Sequence, residues 1–340
     1  MRIPAYFLVS LACMVIPQAV RAQTVKLVPS STTVVQTEWR RPLHLPLRCD
    51  GDGNIYLRGF EQGNPASPVL RLSPKGDRVT TFSIGNEASL QKGVVQDFAV
   101  SLDGEVFELV QCDSDVYIAS FSDDGSFKSK TKIERQFWAI HLNVLAGGTS
   151  FLITGSDLPV RGGPPPKLMN AIFDSSGRLV KEISFQHDPA ELKEAAKGKP
   201  KVENYLGDKT ILPLVTGDAQ TGADGNLYVM RASKPAVIFA LDSTGKLVRT
   251  VTVEPPESGM DVGSMKFSAN WIAVLFYRAN SDGQVEKRIL ALVDPRTGVR
   301  EHTYVLGEGL GGAFACSNGT SYDFVTDEGG KLAITYAQPE

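Results

Sequence analysis

The sequence predicts an all-β fold, a six-bladed β-propeller with an N-terminal strand closing the last blade. A polar turn motif recurs at intervals of roughly fifty residues, a period typical of four-stranded blades. Short apolar runs of alternating pattern flank each copy. The 340 residues include 32 Gly and 20 Pro, which implies many turns and therefore many short elements. At 42% hydrophobic and 21% charged the chain can build a core, which excludes disordered, collagen-like and coiled-coil classes. A formal net charge of −3 leaves no basic footprint for nucleic acid, and no Lys/Arg cluster marks an anionic membrane surface.

Residues 1–22 read as a secretory signal peptide: Arg2, an apolar stretch from Ile3 to Val20, then Val20-Arg21-Ala22. Small residues at −3 and −1 suit cleavage after Ala22, which would make Gln23 the mature start. An uncleaved anchor is the alternative, but Pro4 and Pro17 interrupt an already short apolar run. A lipid anchor on Cys13 is the other, disfavoured by Ser10 and by the apolar run continuing through Met14-Val15-Ile16. No later segment approaches the length of a membrane-spanning helix. The protein is therefore expected to be exported, periplasmic or extracellular, with residues 23–340 as one domain.

Within that domain, a hairpin turn appears as Leu72-Ser73-Pro74-Lys75-Gly76, Phe121-Ser122-Asp123-Asp124-Gly125 and Phe173-Asp174-Ser175-Ser176-Gly177. It returns as Leu241-Asp242-Ser243-Thr244-Gly245 and Val293-Asp294-Pro295-Arg296-Thr297-Gly298. Its glycines fall 49, 52, 68 and 53 residues apart. Asp or Ser accepts backbone N–H bonds within such a turn, and Gly supplies the positive φ.

A second motif precedes each copy: Asp52-Gly53-Asn54-Ile55-Tyr56, Asp103-Gly104-Glu105-Val106-Phe107 and Asp224-Gly225-Asn226-Leu227-Tyr228. Degenerate forms begin at Gly147, Asn270 and Asn318. Each unit then reads as four strands. The last stops one strand short at the C-terminus, and either Thr24–Val28 or Thr32–Gln36 is available to complete it. The D-G-N-x-Y and F/L-D-x-x-G-x-L signatures resemble NHL-type repeats of six-bladed β-propellers over nearly the whole mature chain. That resemblance implies the architecture; propellers of this kind include binding scaffolds, lactonases and lyases.

Two stretches break the spacing. Residues 158–167 contain Arg161-Gly162-Gly163-Pro164-Pro165-Pro166, too proline-rich for a central strand and expected to be an exposed loop of polyproline type. In the insertion 187–209, Asp188 to Gly198 has an N-cap Asp, Pro at the first helical position and a closing Gly. A short surface helix is expected there, with a lid over one face as its functional reading.

The mature chain carries Cys49, Cys112 and Cys316. Cys49 and Cys316 sit just before the Asp-Gly-type turns of the first and last units, which become neighbours when the ring closes. A disulfide and a pair of buried free thiols are both open; Cys112 is expected to be unpaired. No catalytic residue is identified, because C-x-x-C, H-E-x-x-H and G-x-S-x-G are all missing from the sequence. Gly307-Glu308-Gly309-Leu310-Gly311-Gly312 imitates a dinucleotide fingerprint, but no strand-to-helix context surrounds it.

One polar constellation remains. Counting back from the turn glycine of the second motif, the seventh residue is Asp97, His141 and Asp218 in three successive units, and His44 and Asp261 fall two residues further back in their own units. Innermost strands line a propeller's channel, so these groups form a candidate ligand cluster. Carboxylates with an imidazole can bind a divalent cation, do acid–base work, or simply hydrogen-bond backbone and water. No cofactor is otherwise indicated. The leading expectation is a monomeric, non-enzymatic binding scaffold with a protein or glycan partner. The alternative is a lactonase-like hydrolase or lyase, metal-assisted, built on the channel cluster.

Overall fold

The computed structural model describes residues 24–35, 44–59, 67–158, 163, 168–183, 219–268, 270–317, 321–328 and 331–340. The signal-peptide expectation, the 188–198 helix and nearly all of the proline-rich loop lie outside these residues.

The described chain is all-β. The chain opens with β1 (Thr24–Val34), and the first sheet then takes β2 (His44–Cys49), β3 (Ile55–Arg58), β4 (Val69–Leu72) and β5 (Arg78–Phe82). The second takes β6 (Val94–Val100), β7 (Val106–Cys112), β8 (Asp115–Phe121) and β9 (Phe127–Lys132). The third holds β10 (Trp138–Leu145), β11 (Ser150–Ser156), β12 (Leu168–Asp174) and β13 (Leu179–Glu182). The fourth holds β14 (Ala219–Thr221), β15 (Leu227–Arg231), β16 (Ala236–Leu241) and β17 (Leu247–Val253). In each, consecutive strands pair antiparallel, as hairpin turns of this length require.

The expectation of six separate four-stranded blades is corrected here. Among the described residues, four four-stranded sheets and one sheet of eight stand around the axis. The large sheet contains β18 (Asp261–Ser268), β19 (Trp271–Ala279), β20 (Val285–Val293) and β21 (Arg300–Leu306). Its other members are β22 (Ala313–Ser317), β23 (Tyr322–Glu328), β24 (Lys331–Pro339) and β1 (Thr24–Val34). The order is β18-β19-β20-β21-β1-β24-β23-β22.

The physical reason is the length of β1. Its first residues, Thr24–Leu27, pair in parallel with Thr303–Leu306. From Leu27 to Val34 it runs antiparallel to β24. A strand long enough to satisfy both of its edges fuses the last two repeat units instead of completing only one of them.

The innermost strands close a ring: β2 packs on β6, β6 on β10, β10 on β14, β14 on β18, β18 on β22, and β22 back on β2. This closed arrangement is a propeller, and apolar layers fill the gaps between sheets. Tyr56 and Phe82 meet Phe98 and Phe121 between the first and second sheets. Leu109 meets Phe137 and Phe173 between the second and third. Ile55 and Leu57 meet Val325 and Ile334 where the ring closes. Each such side chain, fully buried, contributes roughly 1.5–3 kcal/mol.

The repeated turns explain themselves locally. In the third sheet Asp174 Oδ1 accepts from the N–H of Ser176 at 2.9 Å and of Arg178 at 3.1 Å. Gly177 has φ +85°, and a Cβ there would run into the carbonyl of Lys132 on the neighbouring sheet. Glycine is therefore needed twice over, for the turn and for inter-sheet packing. Tyr228 is fully buried, yet its hydroxyl donates to Asp224 Oδ2 at 2.7 Å, which ties the Asp and Tyr of this D-G-N-x-Y copy together. In the first unit that acceptor is Asp50, two residues before the Asp52 of the motif, with Tyr56 Oη to Oδ2 at 2.8 Å.

Candidate functional site

The innermost strands share a device that aims their polar side chains. A register shift occurs between Val95 and Asp97 on β6, between Ala139 and His141 on β10, and between Val262 and Ser264 on β18. The same irregularity lies between Phe314 and Cys316 on β22. Bulges of this kind turn the following side chain out of the plain alternation.

Asp97 and His141, which the sequence placed at equivalent positions, meet. Asp97 is 1% exposed. Its Oδ2 accepts from the backbone N–H of Leu142 at 3.0 Å and lies 3.2 Å from His141 Nδ1. Arg48 of β2 brings its guanidinium to 3.8 Å from the same oxygen. One carboxylate thus ties together the first, second and third sheets. Burial opposes its ionisation, but His141, Arg48 and the Leu142 N–H outweigh burial and hold Asp97 below the usual carboxylate range. Its Oδ1 has no hydrogen-bond partner among the described residues. Arg48 and the Leu142 amide were not singled out in the sequence. The only sequence signal for Arg48 was its place one residue before Cys49 on an innermost strand.

The other candidates separate. Asp261 is 47% exposed and pairs with Lys234 Nζ at 2.5 Å. His44 opens β2 opposite Arg58. Asp218 lies outside the described residues. Among the described residues, no three His, Cys, Asp or Glu side chains gather as a metal-binding group.

Cys49 and Cys316 are joined by a disulfide, with Cα atoms 6.1 Å apart, so β2 and β22 are bonded covalently at the seam of the ring. Cys112 is a free thiol, pushed up by burial. Across the ring, Lys266 Nζ of β18 donates to the carbonyl of Leu47 on β2 at 2.7 Å.

A further buried carboxyl, Glu108 of β7, is fully enclosed between the first and second sheets. Burial pushes it up to about 8, against the opposing pull of the Arg58 charge and a backbone bond at Ile84. At the opposite, turn end of the innermost strands lies a shallow depression of about 130 Å³, lined by Ser101–Asp103, Val144, Gly147, Thr221 and Gly225. None of Asp97, His141 or Arg48 reaches it, and its lining is turn backbone, so the Asp97 cluster is the better candidate.

No family model matches the chain. No curated protein matches it either. Among solved structures, a protein of unknown function from Bacteroides caccae is similar at 12% identity and TM-score 0.42, covering 83% of this chain and 100% of its own. The Dos1 propeller is similar at 9% identity and TM-score 0.40, covering 88% and 82%. Synechocystis apocarotenoid oxygenase, as a Glu150Gln mutant, is similar at 13% identity and TM-score 0.39, over 78% of this chain and 62% of its own. Likenesses this distant carry nothing about activity; the propeller assignment rests on the strand pairing above.

Proposed function

We propose that this chain is an exported propeller that binds a partner rather than converting a substrate. The use made of Asp97 carries the reading. One oxygen of that carboxylate is engaged by an amide, an imidazole and a guanidinium from two neighbouring sheets, and the residue is withdrawn from solvent. A general base needs access to its proton and a pKa near the working pH. Asp97 has neither, and behaves as a strut that fixes the ring. The repeat signature, which resembles NHL-type repeats, and the leader-like N-terminus support a rigid exported platform with function on its surface.

Purified residues 23–340, immobilised and exposed to solubilised envelope material, should retain a defined protein or glycan. Retention of nothing, together with turnover of an ester or lactone by the same preparation, would reverse the reading.

One observation favours the enzymatic alternative. Asp97 fixes Nδ1 of His141 and leaves Nε2 as the ring nitrogen open to a reacting group, as in acid–base dyads. A lactonase-like hydrolase or lyase on this dyad, metal-assisted or not, predicts turnover that His141→Ala abolishes. A stoichiometric metal in the purified protein would add weight to its metal-assisted form.

A further inference from the structure

Trp138 opens β10 and is 46% exposed. A single exposed apolar side chain is ordinary on a protein surface. What distinguishes this one is its relation to His141. On the partner strand β11, Trp138 stands opposite Ser156 and His141 opposite Thr154, because the bulge lets three residues of β10 span two rungs of the ladder. Two rungs put both side chains on one face of the strand, with backbones about 7 Å apart. The imidazole is partly exposed, at 19%, and held by its Nδ1 to buried Asp97, so its orientation is set before any ligand arrives.

Among the described residues, the charged groups next to this pair are matched. Arg135 is paired with Asp157 and Glu182, and Asp97 with Arg48 and His141. A charged ligand would have to compete with these pairs. A neutral ligand with an apolar face and hydroxyl groups meets no such cost: its C–H face covers the indole and a hydroxyl meets His141 Nε2.

We infer that Trp138 and His141 form a subsite for a neutral sugar residue at the strand-start end of the ring. This rests on the binding reading above and names the ligand class for it.

The test uses residues 23–340 titrated with cellotetraose and chitotetraose, read by calorimetry and tryptophan emission. Saturable binding is expected to at least one. Trp138→Ala should weaken it about tenfold, with an unchanged melting temperature, because the residue is half exposed. Trp138→Phe, which keeps a flat ring, should retain most of the affinity while losing the emission change. Heat of binding absent for both sugars, or affinity unchanged in Trp138→Ala, overturns the subsite. In either case, wild-type retention of an envelope partner by Trp138→Ala would leave the binding reading standing without the sugar.

Discussion

Removing β1 should undo the eight-stranded sheet. The variant to make begins at Gln36 and is compared with residues 23–340. In the intact protein β1 pairs with β21 along Thr24–Leu27 and with β24 along Leu27–Val34. A ladder of that extent carries roughly eight to ten hydrogen bonds at about 1 kcal/mol net each. Leu27 is fully buried against Leu290, Phe314 and Phe324, and losing it adds about 2–3 kcal/mol. The sum, on the order of 10 kcal/mol, equals the whole net stability of a typical domain, about 5–15 kcal/mol. Two long edges, those of β21 and β24, would also be left open to pairing with other chains. The Cys49–Cys316 bond cannot compensate, because it joins β22 to β2 and leaves the β21–β24 gap untouched. Scanning calorimetry and size-exclusion chromatography should show a shortened protein that melts far lower or aggregates. Removing residues 1–22 alone should do neither. Equal melting temperatures and a monomeric profile for the variant lacking β1 would refute the reasoning.

Three further outcomes are expected. Glu108 titrates near 8 in the folded chain against 4.5 for an ordinary glutamate, so the stability it contributes is full below about 4.5 and lost as pH rises through 8. Urea midpoints should therefore fall between pH 5 and pH 8 in the wild type and stay flatter in Glu108→Gln, the full difference being on the order of 5 kcal/mol; parallel profiles would place the proton elsewhere. Asp97 has the opposite sign: its depressed pKa contributes stability above the ordinary carboxylate range that disappears as pH falls through the folded value. Asp97→Asn should cost about 3–5 kcal/mol at neutral pH, because a buried charge pattern loses its anion, and should flatten the acid limb of the unfolding profile. Thiol titration of denatured, unreduced residues 23–340 should count Cys112 alone, and Cys49→Ser should lower stability by roughly 2–5 kcal/mol; three reactive thiols would rule out the bond.

Turn chemistry was legible in the sequence because it is local. An Asp accepting from residues two and four further on, and a glycine at positive φ, need nothing beyond their own hairpin; Asp174 to Gly177 and Asp242 to Gly245 show it. From such turns the all-β repeat order followed, and the equivalent positions of Asp97 and His141 with it. Glu108 was not legible, since a charged residue inside Val106–Val110 gives no sign of which neighbouring sheet will cover it. Nor was Arg48, which meets Asp97 only when the first and second sheets pack.

The division follows range. The amino-acid sequence by itself determined where the chain turns, which residues alternate into a core, and that a Cys stands near each end of the ring. Only the tertiary structure decided that β1 satisfies two edges and merges the last two units, because strand pairing depends on which edges are unfilled after every other sheet has formed. It alone decided that bulges bring Asp97 to His141 while Asp261 turns to Lys234. Those contacts join residues far apart along the chain, and nothing short-range encodes their geometry.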